Sequence, residues 1–206
     1  MAAENENQVR RWEELMFLYR SALNKMETRI SVLNDEFQSF YNMNPIEHVK
    51  SRIKSPRSIA EKLKRLGYED SIENMELYLN DIAGIRIICS FMKDVMIIAD
   101  KIKEQDDLDV VLVKDYMNNP KPNGYKSYHM VVTVPVYFNG ESVPVKVEIQ
   151  IRTIAMDFWA SIEHKINYKY DGDTPPALKA ELKECADIVY MLDKRMESIS
   201  KAMLSE

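Results

Sequence analysis

The chain has 206 residues, 46% of them hydrophobic and 30% charged, which is enough for one hydrophobic core and requires no second domain. Its net charge of -5 argues against a general DNA- or RNA-binding protein, so a concentrated basic segment needs its own explanation. The opening MAAENENQVRR lacks the apolar stretch of a signal peptide, and no later run is long and apolar enough to span a bilayer. We therefore expect a soluble, cytoplasmic protein that does not contact membranes.

A long amphipathic helix is predicted near the amino terminus. Apolar residues recur at helical spacing over about residues 9–34, with charged residues between them. This pattern is typical of a helix that packs against a core or another subunit, and we assign no chemistry to it.

Residues 50–65 form a cationic segment in which Glu61 is the single acidic residue. Ser55 and Pro56 suit the cap and the first turn of a helix, so a helix is predicted to begin within this segment. The free N–H groups at a helix amino terminus, surrounded by Lys and Arg, can bind phosphates. A solvated basic helix face would explain the same pattern, so the segment alone does not decide between the two.

The next part of the chain predicts a strand, helix, strand unit. The elements are a short helix over 71–78, a strand over 85–91, a helix over 93–104 and a strand over 109–114. Asp81 lies just before the first of these strands, and Arg86 lies inside it. A charged side chain in so apolar a run needs either a structural partner or a ligand.

Residues 118–129 read NNPKPNGYKSYH, and the two prolines with Asn123-Gly124 predict an irregular loop before Tyr125. Tyr125, Lys126 and His129 combine aromatic rings with charge, which suits the binding of a base and of phosphates. An ordinary hairpin loop would look much the same, so this segment too remains ambiguous.

The strand predicted over 143–152 has two chemically different faces. Because side chains alternate along a strand, Val145, Val147, Ile149 and Ile151 share one face, and Lys146, Glu148, Gln150 and Arg152 share the other. A strand over 130–136 precedes it, and Asn139-Gly140 predicts a hairpin turn between the two. The polar row is either the solvated face of an antiparallel sheet or a site that is completed by partners from elsewhere.

Two helices are predicted after this strand. The first covers 157–168, and Glu163 and Asn167 lie on one flank of it. The second follows the turn DGDTPP and runs from about 176 nearly to residue 206. Long amphipathic helices within 1–40 and 176–206 indicate packing or oligomerisation elements.

Asp81 and Glu148, which belong to two separate strand segments, could supply the one or two carboxylates that Mg²⁺ prefers beside phosphate oxygens. The sequence contains no P-loop, no Rossmann glycine pattern and no paired His and Cys spacing, so those nucleotide and zinc sites are disfavoured. The residues alone therefore indicate a magnesium-dependent enzyme acting on nucleotide phosphates, or a noncatalytic module that binds nucleotides or RNA.

Five motifs, in the order RIKSPRSIAEKLKR, DIAGIRI, NGYKSYH, EIQIRT and FWASIEHKINYKY, resemble the small alarmone synthetases. These proteins correspond to the synthetase domain of RelA/SpoT homologues, and the likeness covers about residues 45–170. It implies transfer of the pyrophosphoryl group of ATP to the ribose 3′-hydroxyl of GTP or GDP, giving (p)ppGpp and AMP in the stringent response. The implied fold is α+β and nucleotidyltransferase-like: a mixed, largely antiparallel sheet of about five strands, flanked by helices, in one domain over 1–206.

The resemblance also implies roles for individual residues on the ATP side. Arg52 and Arg86 would clasp the adenine. The ATP phosphate ligands would be Lys54, Ser58, Lys62 and Arg65. Asp81 and Glu148 would hold Mg²⁺, and Glu148 would also take the proton from the 3′-hydroxyl.

On the side of the acceptor, GTP or GDP, Tyr125 would stack on the guanine. Lys126 and His129 would contact the acceptor phosphates. Gln150, Glu163 and Asn167 are further acceptor-side residues that the resemblance implies.

The sequence also departs from parts of the wider family. No His is followed by Asp, and no length remains for a hydrolase or regulatory domain, so we expect synthesis without hydrolysis. In tetrameric members that their product activates, the residues before the first arginine include Phe, Thr and Gly, whereas residues 48–51 here read HVKS. This difference leaves product activation open, and we still expect a tetramer formed through the terminal helices.

Two rival functions stay open at this point. One is a related toxin that pyrophosphorylates tRNA or adenine nucleotides, and the other is a catalytically inactive nucleotide- or RNA-binding module. Regulation by single-stranded RNA and the preference between GDP and GTP are also left open.

Overall fold

The computed structural model describes the backbone of residues 2–169 and 175–203, and the side chains of 6–166 and 175–203. The helices and strands follow in the order α1 (Ala2–Tyr41), β1 (Ile46–Ile53), α2 (Pro56–Leu66), α3 (Ile72–Tyr78), β2 (Ala83–Cys89), α4 (Met92–Lys103), β3 (Asp109–Asp115), β4 (Tyr128–Phe138), β5 (Glu141–Thr153), α5 (Ile154–Lys169) and α6 (Pro176–Met203). No helix in these ranges is long and apolar enough to cross a membrane.

The five strands form one sheet in the order β1-β2-β5-β4-β3. β2 and β5 pair in parallel, and the three other neighbouring pairs are antiparallel. The predicted mixed, largely antiparallel sheet flanked by helices is therefore confirmed.

β1 is not predicted from the sequence, where residues 50–53 are interpreted only as the approach to a basic helix. A register irregularity between Ile46 and His48 interrupts its pairing with β2. The apolar residues consequently fall at Ile46, Val49 and Ile53, a spacing that is not the two-residue period of a strand. β1 is also an edge strand with mostly exposed side chains, so burial leaves little trace in its composition.

The hydrophobic core lies on one face of the sheet. α1 contributes the buried residues Met26 and Ile30, and α4 contributes Ile98, to one continuous cluster with the apolar faces of β2, β4 and β5. α1 extends from Ala2 to Tyr41, so it is longer at both ends than the apolar period of 9–34 predicted. Because the core covers this face, the polar side chains of the same strands are left on the other face.

The hairpin predicted between β4 and β5 is present. Asn139 and Gly140 both have positive φ angles, 50° and 87°, as a tight two-residue hairpin turn requires. The turn sets a register in which His129 of β4 lies opposite Gln150 of β5, and Val131 lies opposite Glu148.

Candidate functional site

A cleft of about 250 Å³ lies on the polar face of the sheet, where β1, β2 and β5 run side by side. Its lining residues are Lys50, Ser51, Arg52, Gly84, Ile85, Arg86, Glu148 and Gln150. The strand pairing explains this convergence, because Arg52 lies opposite Gly84, and Gly84 lies opposite Glu148. The sheet therefore brings together three of the predicted nucleotide-binding segments.

Gly84 keeps the centre of this cleft open. A Cβ atom at this position would lie 3.9 Å from Cγ of Arg52 and 4.0 Å from the backbone oxygen of Glu148. A longer side chain would therefore extend into the space between the predicted donor arginine and the predicted catalytic carboxylate. The sequence offered only a glycine in an apolar run as a signal for this role.

The polar row of β5 is not a solvated outer face. Glu148 exposes 21% of its side chain, and the neighbouring His129 exposes 13%. Nε2 of Gln150 donates a hydrogen bond to Oε2 of Glu148 at 2.9 Å, which orients the carboxylate. The partial burial of Glu148 and its contacts with His129 and Gln150 thus decide between the two interpretations that the strand pattern left open.

The basic segment forms α2 with the predicted cap. The side chain of Ser55 accepts a hydrogen bond from the backbone N–H of Ser58 at 3.3 Å, and Pro56 is the first helical residue. Lys62 lies in the middle of this helix and is partly buried, and Arg65 is exposed near its end. The helix therefore begins where the sequence predicts, and the backbone N–H of Lys54, just before it, donates to the carbonyl oxygen of Ile82, just before β2, at 2.8 Å.

Asp81 pairs with two of the predicted phosphate-binding lysines, Lys54 and Lys62. Nζ of Lys54 lies 2.8 Å from Oδ2 of Asp81, and Nζ of Lys62 lies 2.7 Å from Oδ1. Burial raises the pKa of Asp81, but the hydrogen bonds and charges of the two lysines outweigh it and hold that pKa below its usual range. Asp81 is therefore ionised at neutral pH, and the lysines are only 10% and 25% exposed, unlike a solvated helix face.

Asp81 and Glu148 are the two carboxylates that the sequence analysis assigns to a magnesium site. The residues that the structure describes contain no cluster of three or more His, Cys, Asp or Glu side chains able to hold a metal. Mg²⁺ takes one or two carboxylates and completes its shell with phosphate oxygens and water, so two acids suffice only when a nucleotide is bound. Asp81 would have to release at least one lysine to take part.

His129 is neutral in this environment. Burial, followed by the charges of Arg152 and Lys121, lowers the pKa of His129 to about 3. Its Nδ1 lies 3.9 Å from Oε1 of Glu148, but an uncharged imidazole makes no ion pair there. His129 can therefore offer an acceptor phosphate a hydrogen bond but not a charge.

The hydroxyl of Tyr125 joins Arg152 to His129. Arg152 donates to the hydroxyl of Tyr125, and that hydroxyl lies 2.8 Å from Nε2 of His129. The hydroxyl oxygen has two lone pairs, so it accepts from Arg152 and either donates to Nε2 or accepts from it. Nδ1, the other ring nitrogen of His129, faces Glu148.

Tyr125 is half-buried, and two cations lie near its ring. Nζ of Lys121 is 4.8 Å from the ring centroid, and the guanidinium carbon of Arg152 is 5.0 Å from it. A base that stacked on the face occupied by Lys121 would displace this lysine.

Arg86 has a structural partner, Asp157, which the sequence interpretation did not single out. NH1 of Arg86 donates to Oδ1 of Asp157 at 3.2 Å, and NH1 of Arg152 donates to the same oxygen at 3.0 Å. Arg86 still exposes 35% of its side chain to the cleft, and its buried Nε has no hydrogen-bond partner among the residues described. In the sequence, Arg152 is the last member of the polar row and Asp157 is a lone acid at the start of an apolar helix, so neither residue signals this contact.

Two of the predicted acceptor-side residues, Lys126 and Glu163, make contacts away from the cleft. Nζ of Lys126 lies 4.0 Å from the ring centroid of Tyr190 in α6 and donates to the backbone oxygen of Met117 at 3.2 Å. Glu163 accepts a hydrogen bond from Asn123 at 3.1 Å. The side chain of Asn167 lies outside the described residues. The roles of all three stay predictions.

The neutral state of His129 predicts a pH dependence of stability. Since its pKa falls from 6.5 to about 3 on folding, the unfolded chain binds a proton that the folded chain refuses as the pH drops below 6.5. We expect wild type to lose about 1–2 kcal/mol more unfolding free energy than His129→Gln between about pH 7.5 and about pH 5. Urea unfolding at both pH values measures this, and an equal loss in the two proteins would contradict it.

Comparison with known proteins identifies the family. A family model described as the region found in RelA / SpoT proteins matches residues 51–173. Over 190 residues, the chain is 47% identical to GTP pyrophosphokinase YwaC of Bacillus subtilis (strain 168), with 92% of this chain and 90% of that protein covered. The motif resemblance is thereby confirmed over most of the chain.

Solved structures agree with this match. The crystal structure of small alarmone synthetase 2 from Bacillus subtilis superposes with a TM-score of 0.84 at 47% identity and covers 93% of this chain and 98% of that chain. Small alarmone synthetase 1 from the same organism, bound to its product pppGpp, superposes with a TM-score of 0.85 at 36% identity, covering 93% and 97%. With matches of this extent in sequence and in structure, the chain belongs to the RelA/SpoT family.

Proposed function

We propose that this protein is a (p)ppGpp synthetase, which transfers the pyrophosphoryl group of ATP to the ribose 3′-hydroxyl of GTP or GDP and releases AMP. The observation that carries the proposal is the position of Glu148, which lies between the segment of Arg52, Gly84 and Arg86 on one side and His129 on the other. The pyrophosphokinase name of the 47% identical relative and the pppGpp held by a structural neighbour support the same reaction.

The donor is proposed to bind over β1, β2 and α2. Arg52 and Arg86 both line the cleft, where flat guanidinium groups can stack on the adenine. Lys54, Ser58, Lys62 and Arg65 would meet the ATP phosphates at the start of α2 and along it. Binding of the phosphates would draw Lys54 and Lys62 away from Asp81, because the triphosphate carries the larger negative charge.

The acceptor is proposed to bind over β4 and β5. Tyr125 would stack on the guanine, and His129 would donate a hydrogen bond to an acceptor phosphate. Gln150 holds Glu148, so its contribution includes orienting the carboxylate. Lys126 and Glu163 would reach the acceptor only if the loop over 118–127 and α5 close around it. Asn167 is proposed to contribute from the same helix.

The chemistry follows from aligning the two nucleotides on one face. The 3′-oxygen attacks the β-phosphorus, the bond from that phosphorus to the bridging oxygen of the α-phosphate breaks, and AMP leaves with the electron pair. Glu148 accepts the proton of the 3′-hydroxyl. Mg²⁺, which we propose is held by Asp81 and Glu148, would supply neutralisation of the charge on the transferring phosphates.

The reaction and the role of Glu148 are tested together by product analysis. We expect wild-type protein incubated with ATP, Mg²⁺ and GTP to form AMP and a nucleotide one pyrophosphate heavier than GTP. Glu148→Gln keeps the size of the side chain and its contact with Gln150 but removes the base, so turnover should fall by at least about 100-fold.

The matched control is Glu141→Gln, the same substitution at the exposed first residue of β5. This variant should keep wild-type turnover. Equal turnover of ATP by wild type and Glu148→Gln would contradict the mechanism. If the labelled product is a tRNA or an adenine nucleotide and not a guanine nucleotide, the protein has the toxin activity instead.

The magnesium proposal is tested through Asp81. Removal of divalent cations with EDTA should stop the reaction, and Asp81→Asn should raise the Mg²⁺ concentration for half-maximal rate by about tenfold or more. ATP affinity should not weaken in this variant, because Lys54 and Lys62 lose a competing anion. The exposed Asp106→Asn is the control, and an unchanged Mg²⁺ requirement in Asp81→Asn would overturn the assignment.

We further propose a cytoplasmic homotetramer whose contacts involve the terminal helices. Large hydrophobic side chains that are more than half exposed line α6 at Ile188, Met191, Leu192, Met196, Ile199 and Met203. Light scattering should give a mass of about four chains, and Met191→Glu with Ile199→Glu should lower it. A monomer for wild type at the concentration of the activity assay would contradict the tetramer.

A further inference from the structure

Asp157 has no role in the reaction as proposed above. It lies in the first turn of α5, directly after β5, and exposes only 14% of its side chain. Oδ1 of Asp157 accepts hydrogen bonds from Arg86 at 3.2 Å and from Arg152 at 3.0 Å. A single carboxylate oxygen thus joins an arginine of β2 to an arginine of β5.

The two arginines contact different halves of the proposed site. Arg86 lines the cleft on the proposed donor side. Arg152 donates to the hydroxyl of Tyr125 and, at 3.1 Å, to Oε1 of Gln150 on the proposed acceptor side. Asp157 is therefore linked to the proposed donor subsite through Arg86, and to the proposed acceptor subsite through Arg152 and its two hydrogen-bond partners.

Charge explains why this carboxylate is needed. Arg86 and Arg152 are neighbouring cations in a partly buried setting, and burial followed by the charge of Arg152 lowers the pKa of Arg86, whereas Asp157 raises it. Without the negative charge between them, the guanidinium groups would repel each other. Arg86, which is the more exposed of the two, would then be free to turn towards solvent.

The backbone that carries Asp157 is held firmly. The buried hydroxyl of Thr153 accepts a hydrogen bond from the backbone N–H of Met156 at 3.1 Å and donates to Asp193 of α6 at 2.6 Å. This contact caps the start of α5, so the carboxylate three residues beyond Ile154 has a defined place relative to β2 and β5.

We propose that Asp157 is a positioning residue that orients the donor subsite through Arg86 and the acceptor subsite through Arg152. The inference rests on the proposed (p)ppGpp synthetase function. Asp157 itself need not touch either nucleotide, and its loss should weaken the binding of both.

The test is Asp157→Asn, which keeps the shape of the side chain and removes its charge. We expect KM for ATP and KM for GTP each to rise by about tenfold or more, while kcat stays within about threefold of wild type. Asp157→Glu restores the charge and should recover most of both KM values. Asp187→Asn, which removes an exposed ion pair with Lys183 on α6, is the control and should leave both unchanged.

A double variant separates positioning from general damage to the fold. If Asp157 acts on the donor through Arg86, Asp157→Asn should raise KM for ATP no further in an Arg86→Ala background, although KM for GTP should still rise. Melting temperatures show whether each variant is folded. If Asp157→Asn is not, Asp157→Ser, which retains an uncharged acceptor, takes its place with the same expectation.

The outcomes distinguish this inference from the function on which it rests. If wild type makes no pyrophosphorylated nucleotide, the proposed function is wrong. If wild type makes it and the uncharged variant keeps both KM values, only the role of Asp157 is overturned. An additive rise in KM for ATP in the double variant would also overturn it.

Discussion

The parallel pairing of β2 with β5 is the constraint on which the site depends. It places Gly84 beside Glu148 and Arg86 beside Gln150, so that segments more than sixty residues apart in sequence share one polar face. The buried residues Ile85, Ile87, Val147 and Ile149 fix this register from the other face, because a slip by one residue would turn every polar side chain into the core. The alternation of side chains along β2 and β5 therefore determines both the packing of the core and the composition of the polar site.

Two carboxylates of the site each pair with two cations, so these groups keep an excess of positive charge. Lys54 and Lys62 are held by Asp81, and Arg86 and Arg152 are held by Asp157. Half-buried cations would otherwise repel one another at a considerable cost in stability. The two acids differ in their proposed fates, since phosphates and Mg²⁺ would compete for the first pair, whereas the second would stay in place and orient its arginines.

Local sequence patterns predicted the elements that follow strict rules. The two-faced strand β5, the Ser55-Pro56 start of α2 and the Asn139-Gly140 turn all have local signals, and the structure contains all three. β1 was missed because its register irregularity breaks the alternation. The contacts of Asp157, and the turn of Lys126 towards Tyr190, depend on where α5 and α6 pack, which no spacing along the chain encodes. Individual site roles came from the motif resemblance, not from local pattern.

The most direct measurement is a crystal structure of the protein with Mg²⁺, a nonhydrolysable ATP analogue and GTP. The account predicts the donor phosphates along α2 with Lys54 and Lys62, one Mg²⁺ ion contacting carboxylate oxygens of both Asp81 and Glu148, and the acceptor ribose 3′-oxygen in line with the β-phosphorus. Nucleotides bound on another face of the sheet, or carboxylates too far apart to share the ion, would contradict it.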